Sequence, residues 1–161
     1  MVCHKTSPKG FTLIEVLITI AVLGLIGTTA MFSLFGYRSR NNFNLDAETL
    51  VSAIRDAYSR AENGEEGSAW GIQITNAASG SDYFEVFKGT TYSASNVVVR
   101  SPFSAYTQII SPTSGNSTTT IFSARTGTST AQIAPRLQRT GGSETYTISV
   151  SSLGLVSKTS P

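Results

Sequence analysis

The sequence predicts an α+β protein in which a long N-terminal helix, apolar in its first half and amphipathic in its second, packs on an antiparallel β-sheet head. Three observations carry this. No residue is charged from Val16 through Tyr37, about 22 positions. From Phe43 to Ala61 the apolar residues recur at three- and four-residue steps, the spacing of one helix face. From Ala69 onward the apolar period falls to two, in short runs bounded by Gly, Pro, Asn and Ser. A chain of 161 residues has room for one domain and an anchor.

The uncharged run would extend roughly 33 Å as a helix, enough to cross a bilayer core of about 30 Å. It predicts a membrane-spanning segment at 11–37, preceded by a short basic stretch at 1–10, here called the leader, and followed by an amphipathic half at 38–63. Glu15 is the one acidic residue near the start of the apolar run. An acidic side chain at the centre of a membrane helix costs on the order of 2.5 to 3.5 kcal/mol, and less near an interface, so it calls for a partner. The alternative reading is a first-turn carboxylate favoured by the helix dipole. An ordinary secretory signal also begins with a basic stretch and an apolar core. Its core, however, runs only about 7 to 15 residues and ends at a small-residue cleavage site, whereas this run is longer and continues into an amphipathic helix.

In that second half Phe43, Ala47, Leu50, Val51, Ile54, Ala57, Tyr58 and Ala61 form the apolar stripe, and Asp46, Glu48, Arg55, Asp56, Arg60 and Glu62 fall mostly between them. Asn63-Gly64 supplies the stop, so one helix from about Thr12 to Glu62, roughly 75 Å long, is expected. A head at 64–161 follows. Strands are predicted at 70–74, 83–87, 96–100, 107–110, 119–123, 131–133 and 145–150, with a short last one within 152–158 after a turn at Gly154. Segments 76–82 and 111–118 are expected to be exposed loops. Trp70, Phe84, Phe87 and Phe122 read as core aromatics.

Composition excludes most enzyme chemistry. The only cysteine, Cys3, and the only histidine, His4, both lie in the leader, so beyond it neither a Ser-His-Asp triad, a Cys-His pair, a structural zinc site nor a disulfide can form. Glu65 and Glu66 lie between Gly64 and Gly67 and read as a solvated turn. There is no GxGxxG loop, Walker sequence or EF-hand spacing. The sequence thus predicts no enzyme, no cofactor and no metal. Loss of Lys5 and Lys9 with the leader brings the 12 basic residues down to 10, against 10 acidic ones, a neutral balance that argues against a polybasic nucleic-acid surface.

The string Lys9-Gly10-Phe11-Thr12-Leu13-Ile14-Glu15 resembles the class III signal of type IV prepilins and type II secretion pseudopilins. The resemblance implies cleavage between Gly10 and Phe11 by a dedicated membrane peptidase that also N-methylates Phe11. It further implies that Glu15 pairs with the terminal amine of a neighbouring subunit in a filament, which compensates a carboxylate that would be costly to bury alone. Many pilins carry a helix-kinking proline in the second half of the span. This chain has none between Pro8 and Pro102, and Gly24, Gly27 and Gly36 are its only weak helical points. The head is similar to the H-type minor pseudopilins and FimT-type minor pilins in the order of its pieces: Trp70 opening the first strand, Ile121-Phe122 before a glycine turn at Gly127, and a final strand pair from Ile148 through Lys158.

The leading functional expectation is therefore a structural subunit, a minor pilin or pseudopilin of a type IV pilus-like filament or a type II secretion pseudopilus. It implies storage in the bacterial cytoplasmic membrane with the N-terminus cytoplasmic, then passage into an extracytoplasmic filament. The implied partners are other pilin or pseudopilin subunits, the prepilin peptidase/N-methyltransferase and the membrane, with the assembly platform and its ATPase reached indirectly. A DNA-receptor minor pilin is an alternative, resting on Arg125, Arg136, Arg139 and Lys158, which face only Glu144 among the residues from 121 onward. That excess is thin, because non-specific DNA binding draws on several phosphate contacts at once. A membrane-anchored adhesin using the Ser/Thr-rich loops is the other.

Overall fold

A computed structural model describes residues 10–160, with the side chains at 29, 30, 32 and 33 outside the described set. The leader expected at 1–10 lies outside the described residues except for Gly10. The chain divides into two units, one through Arg38 and one from Ser39.

A single helix, α1 (Leu13–Glu62), covers 50 residues, close to the bounds that the periodicity and the Asn63-Gly64 stop predict. Its end is closed by backbone bonds from Asn63 N to Ser59 O (2.9 Å) and from Gly64 N to Ala61 O (2.9 Å). Gly64 has φ 64°, the left-handed conformation that a glycine after a helix adopts without a Cβ penalty. In the first unit the described apolar side chains stand exposed around the helix, among them Leu13, Leu17, Ile20, Leu23 and Leu25. Among the described residues no helix is long and apolar enough to cross a membrane. The expected span at 11–37 runs through positions 29, 30, 32 and 33, whose side chains lie outside the described residues.

In the second unit eight strands form two antiparallel four-stranded sheets. Sheet A has the order β3-β2-β1-β5, with β1 at Trp70–Thr75, β2 at Tyr83–Lys88, β3 at Val97–Pro102 and β5 at Ser117–Phe122. Sheet B has the order β4-β6-β7-β8, with β4 at Thr107–Ser111, β6 at Arg136–Arg139, β7 at Thr145–Val150 and β8 at Val156–Thr159. Both sheets and the stripe of α1 from Phe43 to Ala61 share one core, with Trp70, Ile72 and Ile74 from β1, Phe84 and Val86 from β2, Phe122 from β5 and Leu137, Ile148 and Val150 from sheet B. Phe87 is buried too, but on the opposite face of sheet A, where its ring crosses the bare backbone of Gly71 and a Cβ there would fall inside the ring.

Two expectations need correction. Residues 131–133 form no strand, only an isolated bridge from Ile133 to Val150, and the missing strand is β6. Pro135 interrupts the ladder because it has no N–H to donate. Beyond it Leu137 pairs with both Ile109 and Tyr146. The loops at 76–82 and 111–118 are not simply exposed. Asn76 is buried and its side-chain amide donates to Ile109 O (2.7 Å) and Pro112 O (2.8 Å), while β5 already begins at Ser117. Asp82 accepts from Ala77 N (2.9 Å) and Ile109 N (2.7 Å), so the first loop is tied to β4 and the second, through Asn76, to the first.

The second half of α1 is also held by polar side chains. Asp46 Oδ2 accepts from Ser104 N (3.1 Å), Ser104 Oγ (2.6 Å) and Thr107 Oγ1 (2.5 Å). Tyr146 donates its hydroxyl to Asn44 Oδ1 at 2.7 Å and stacks on Phe43 with ring centroids 5.0 Å apart.

Candidate processing and assembly site

The helix begins at Leu13 because Thr12 caps it. Thr12 O accepts from Glu15 N (3.1 Å) and Val16 N (3.2 Å), and Thr12 Oγ1 accepts from Glu15 N at 3.3 Å. This satisfies amides that a helix start leaves without partners. Thr12-Leu13-Ile14-Glu15 has the Ser/Thr-x-x-Glu spacing of a capping box, a signal that would have identified Thr12 from the sequence. The cap leaves the expected scissile pair just outside the helix. Gly10 is exposed and Phe11 is 81% exposed, so an enzyme can reach that peptide bond.

One turn into the helix Glu15 is exposed, and its carboxylate has no partner among the described residues. The surrounding surface is apolar, with Leu13, Ile14, Val16, Leu17 and Ile18 all exposed. Two described hydroxyls farther along this half are satisfied within the helix, Thr19 Oγ1 donating to Val16 O (2.8 Å) and Thr28 Oγ1 to Leu25 O (2.9 Å). That internal bonding is what an apolar environment requires of a hydroxyl. Glu15 is then the one charged group of the described side chains from Leu13 to Tyr37. At this end the chain presents an exposed Gly10-Phe11 pair, a carboxylate one turn into the helix and an apolar surface, which suits packing against like helices better than chemistry on a small molecule.

The four basic candidates do not converge. Arg125 has φ 68° and donates its backbone N–H to Ala61 O at 2.7 Å, beside the end of α1. Arg136 is exposed on the outward face of β6, in register with Thr147. Arg139 turns to the other face, where Nε donates to Glu144 Oε2 (2.9 Å) and Nη1 to Ser39 Oγ (3.5 Å). Lys158 pairs with Glu48 and lies over the Tyr146 ring at 4.7 Å, and this ion pair holds the Glu48 carboxyl below its ordinary range. Glu65 and Glu66, read from the sequence as a solvated turn, are exposed in a short 3-10 turn and pair with Arg60 and Lys88.

The apolar helix with its capped start and the two-sheet head make an α+β fold, and the comparisons agree with a pilin-like one. Residues 5–31 match the prokaryotic N-terminal methylation motif. Among solved structures the fold is similar to the type IV minor pilin FimU of Pseudomonas aeruginosa (strain PAO1), with a TM-score of 0.54 at 16% identity over 73% of this chain and 96% of that one. At that identity the likeness concerns the fold. No curated protein matches the chain.

Proposed function

We propose that the chain is a filament subunit, a minor pilin or pseudopilin of a type IV pilus-like filament or a type II secretion pseudopilus. It is made as a precursor held at the bacterial cytoplasmic membrane by the apolar half of α1, N-terminus on the cytoplasmic side. A prepilin peptidase cuts between Gly10 and Phe11 and methylates the Phe11 amine. In the filament the exposed apolar side chains bury against like helices, each large one contributing about 1.5 to 3 kcal/mol. Glu15 meets the ammonium of a neighbour's Phe11, so that chains out of register leave a carboxylate unpaired in an apolar setting. Other subunits are the direct partners, and the assembly platform and its ATPase act on the membrane-held precursor.

The observation that carries this reading is a single exposed carboxylate one turn from a reachable Gly10-Phe11 bond, the one charge among the described side chains of the first half of α1, beside a head with a core of its own. Co-expression with a prepilin peptidase, followed by intact-mass measurement, tests it. The expected product has lost the ten leader residues and gained one methyl group on Phe11. Cleavage far downstream, near Ala30, would show an ordinary secretory signal instead.

A further inference from the structure

We propose that the β2–β3 connection, from Gly89 to Asn96, is a strap that opens and closes as a unit over the outward face of sheet A, held shut by one hydrogen bond from Tyr92 to Glu85.

Glu85 lies on that outward face, its side chain only 5% exposed. Its Oε2 accepts from the Tyr92 hydroxyl at 2.7 Å, and its Oε1 stands 3.6 Å from Arg100 Nη1. Arg100 in turn lies over the Tyr83 ring, 3.8 Å from its centroid. The Tyr92 ring meets Phe87 edge-on, with centroids 5.3 Å apart and planes at 88°, and so completes the cover over a side chain that Gly71 floors from below.

The strap has little else to hold it. Gly89 N donates to Ala69 O at 2.8 Å at its base. Among the described residues the remaining hydrogen bonds of 90–96 stay inside the segment, in the Ser93, Ser95 and Asn96 turn. Shallow clefts lie on both sides of it, one walled by Lys88, Asn96 and Val98, the other by Ala69, Ile121 and Thr130, and both include Ser68 and Gly89. Lifting the strap would uncover the Phe87 ring and bare the Glu85 carboxylate. A segment with few anchors and solvent on both sides is the kind that opens locally without global unfolding. The bond to Glu85, and secondarily burial, push the Tyr92 phenol up to about 12, so the latch is intact throughout the neutral range.

Amide hydrogen exchange on the detergent-solubilised full chain tests this. Tyr92→Phe keeps the ring on Phe87 and removes only the donor. A lost hydrogen bond to a charged acceptor corresponds to a rise of about ten- to a hundred-fold in exchange at the strap's bonded amides, Gly89, Ser95 and Asn96. Exchange in β1 and β5 should be unchanged. Glu85→Gln keeps an oxygen acceptor and should raise strap exchange less than Tyr92→Phe does. Unchanged strap exchange in Tyr92→Phe would overturn the latch. A rise spread evenly through sheet A would overturn the strap as a separate unit.

Discussion

Asp46→Ala is the substitution whose cost can be worked most fully. One oxygen of Asp46 takes three donors, two from Ser104 in the β3–β4 connection and one from Thr107 at the start of β4. Each hydrogen bond to a charged acceptor is worth about 1.5 to 3 kcal/mol. Simple addition overstates the loss, because bonds on one atom are not independent and water can reach the half-buried Ser104. The Thr107 hydroxyl cannot be rescued so easily, since that residue is only 6% exposed. A net destabilisation of about 2 to 4 kcal/mol follows, with Asp46→Asn costing roughly half because it keeps an acceptor oxygen. For a unit of about 120 residues from Ser39 onward, that lowers the melting temperature by about 8 to 15 °C. Thermal denaturation followed by circular dichroism on the solubilised chain reads it directly. A loss below about 1 kcal/mol for Asp46→Ala would mean that packing of the Phe43–Ala61 stripe alone holds the helix on the sheets.

Three further outcomes are specific. Glu15→Val should leave membrane insertion, peptidase cleavage and the head fold intact while abolishing incorporation into sheared filaments, and normal filament levels would return Glu15 to the helix-dipole role. Gly71→Ala should destabilise by about 2 to 4 kcal/mol through overpacking against Phe87. Phe87→Leu should recover part of that loss in the double variant, and strict additivity would show that the two do not touch. Raising the pH from about 10 to 12 should remove stability progressively. The folded Tyr92 phenol titrates near 12, above its unfolded value near 10, so its contribution is complete below pH 10 and lost on the way up. Tyr58, raised chiefly by burial, acts in the same direction. Tyr92→Phe should flatten that limb of a stability–pH curve, and an unchanged limb would refute the assignment.

The long helix and most strands were legible because apolar periodicity is written by the core they share. The α1 stripe, Trp70 to Ile74 and Ile148 to Val150 all alternate as their burial does. The strand β6 was illegible for the opposite reason: Arg136-Leu137-Gln138-Arg139 has a single apolar residue, and only the partners on either side make it a strand. Buried polar side chains were missed as well. Asn76, Glu85 and the half-buried Asp46 occupy positions that look solvated in a pattern of apolar and polar letters, and their partners lie 33 to 61 residues away or in a strap with no periodicity. At the candidate site Gly10, Phe11 and Glu15 were readable from a local string, and the Thr12 cap was readable in principle from its spacing to Glu15.

The order of sheet A sets how the head comes to be folded. β1, β2 and β3 form a meander that can close through short connections, but the other side of β1 is filled by β5, where Gln73 meets Thr119 across 46 residues. Loop-closure entropy delays such a pairing until the intervening chain has been gathered in. Until then β1 is an open edge carrying Trp70, Ile72 and Ile74 on one face, the kind of template that pairs with whatever strand arrives first. At high local concentration the β5 of another copy meets the same open edge, so the sheet order that completes the head is also its point of exposure while it folds.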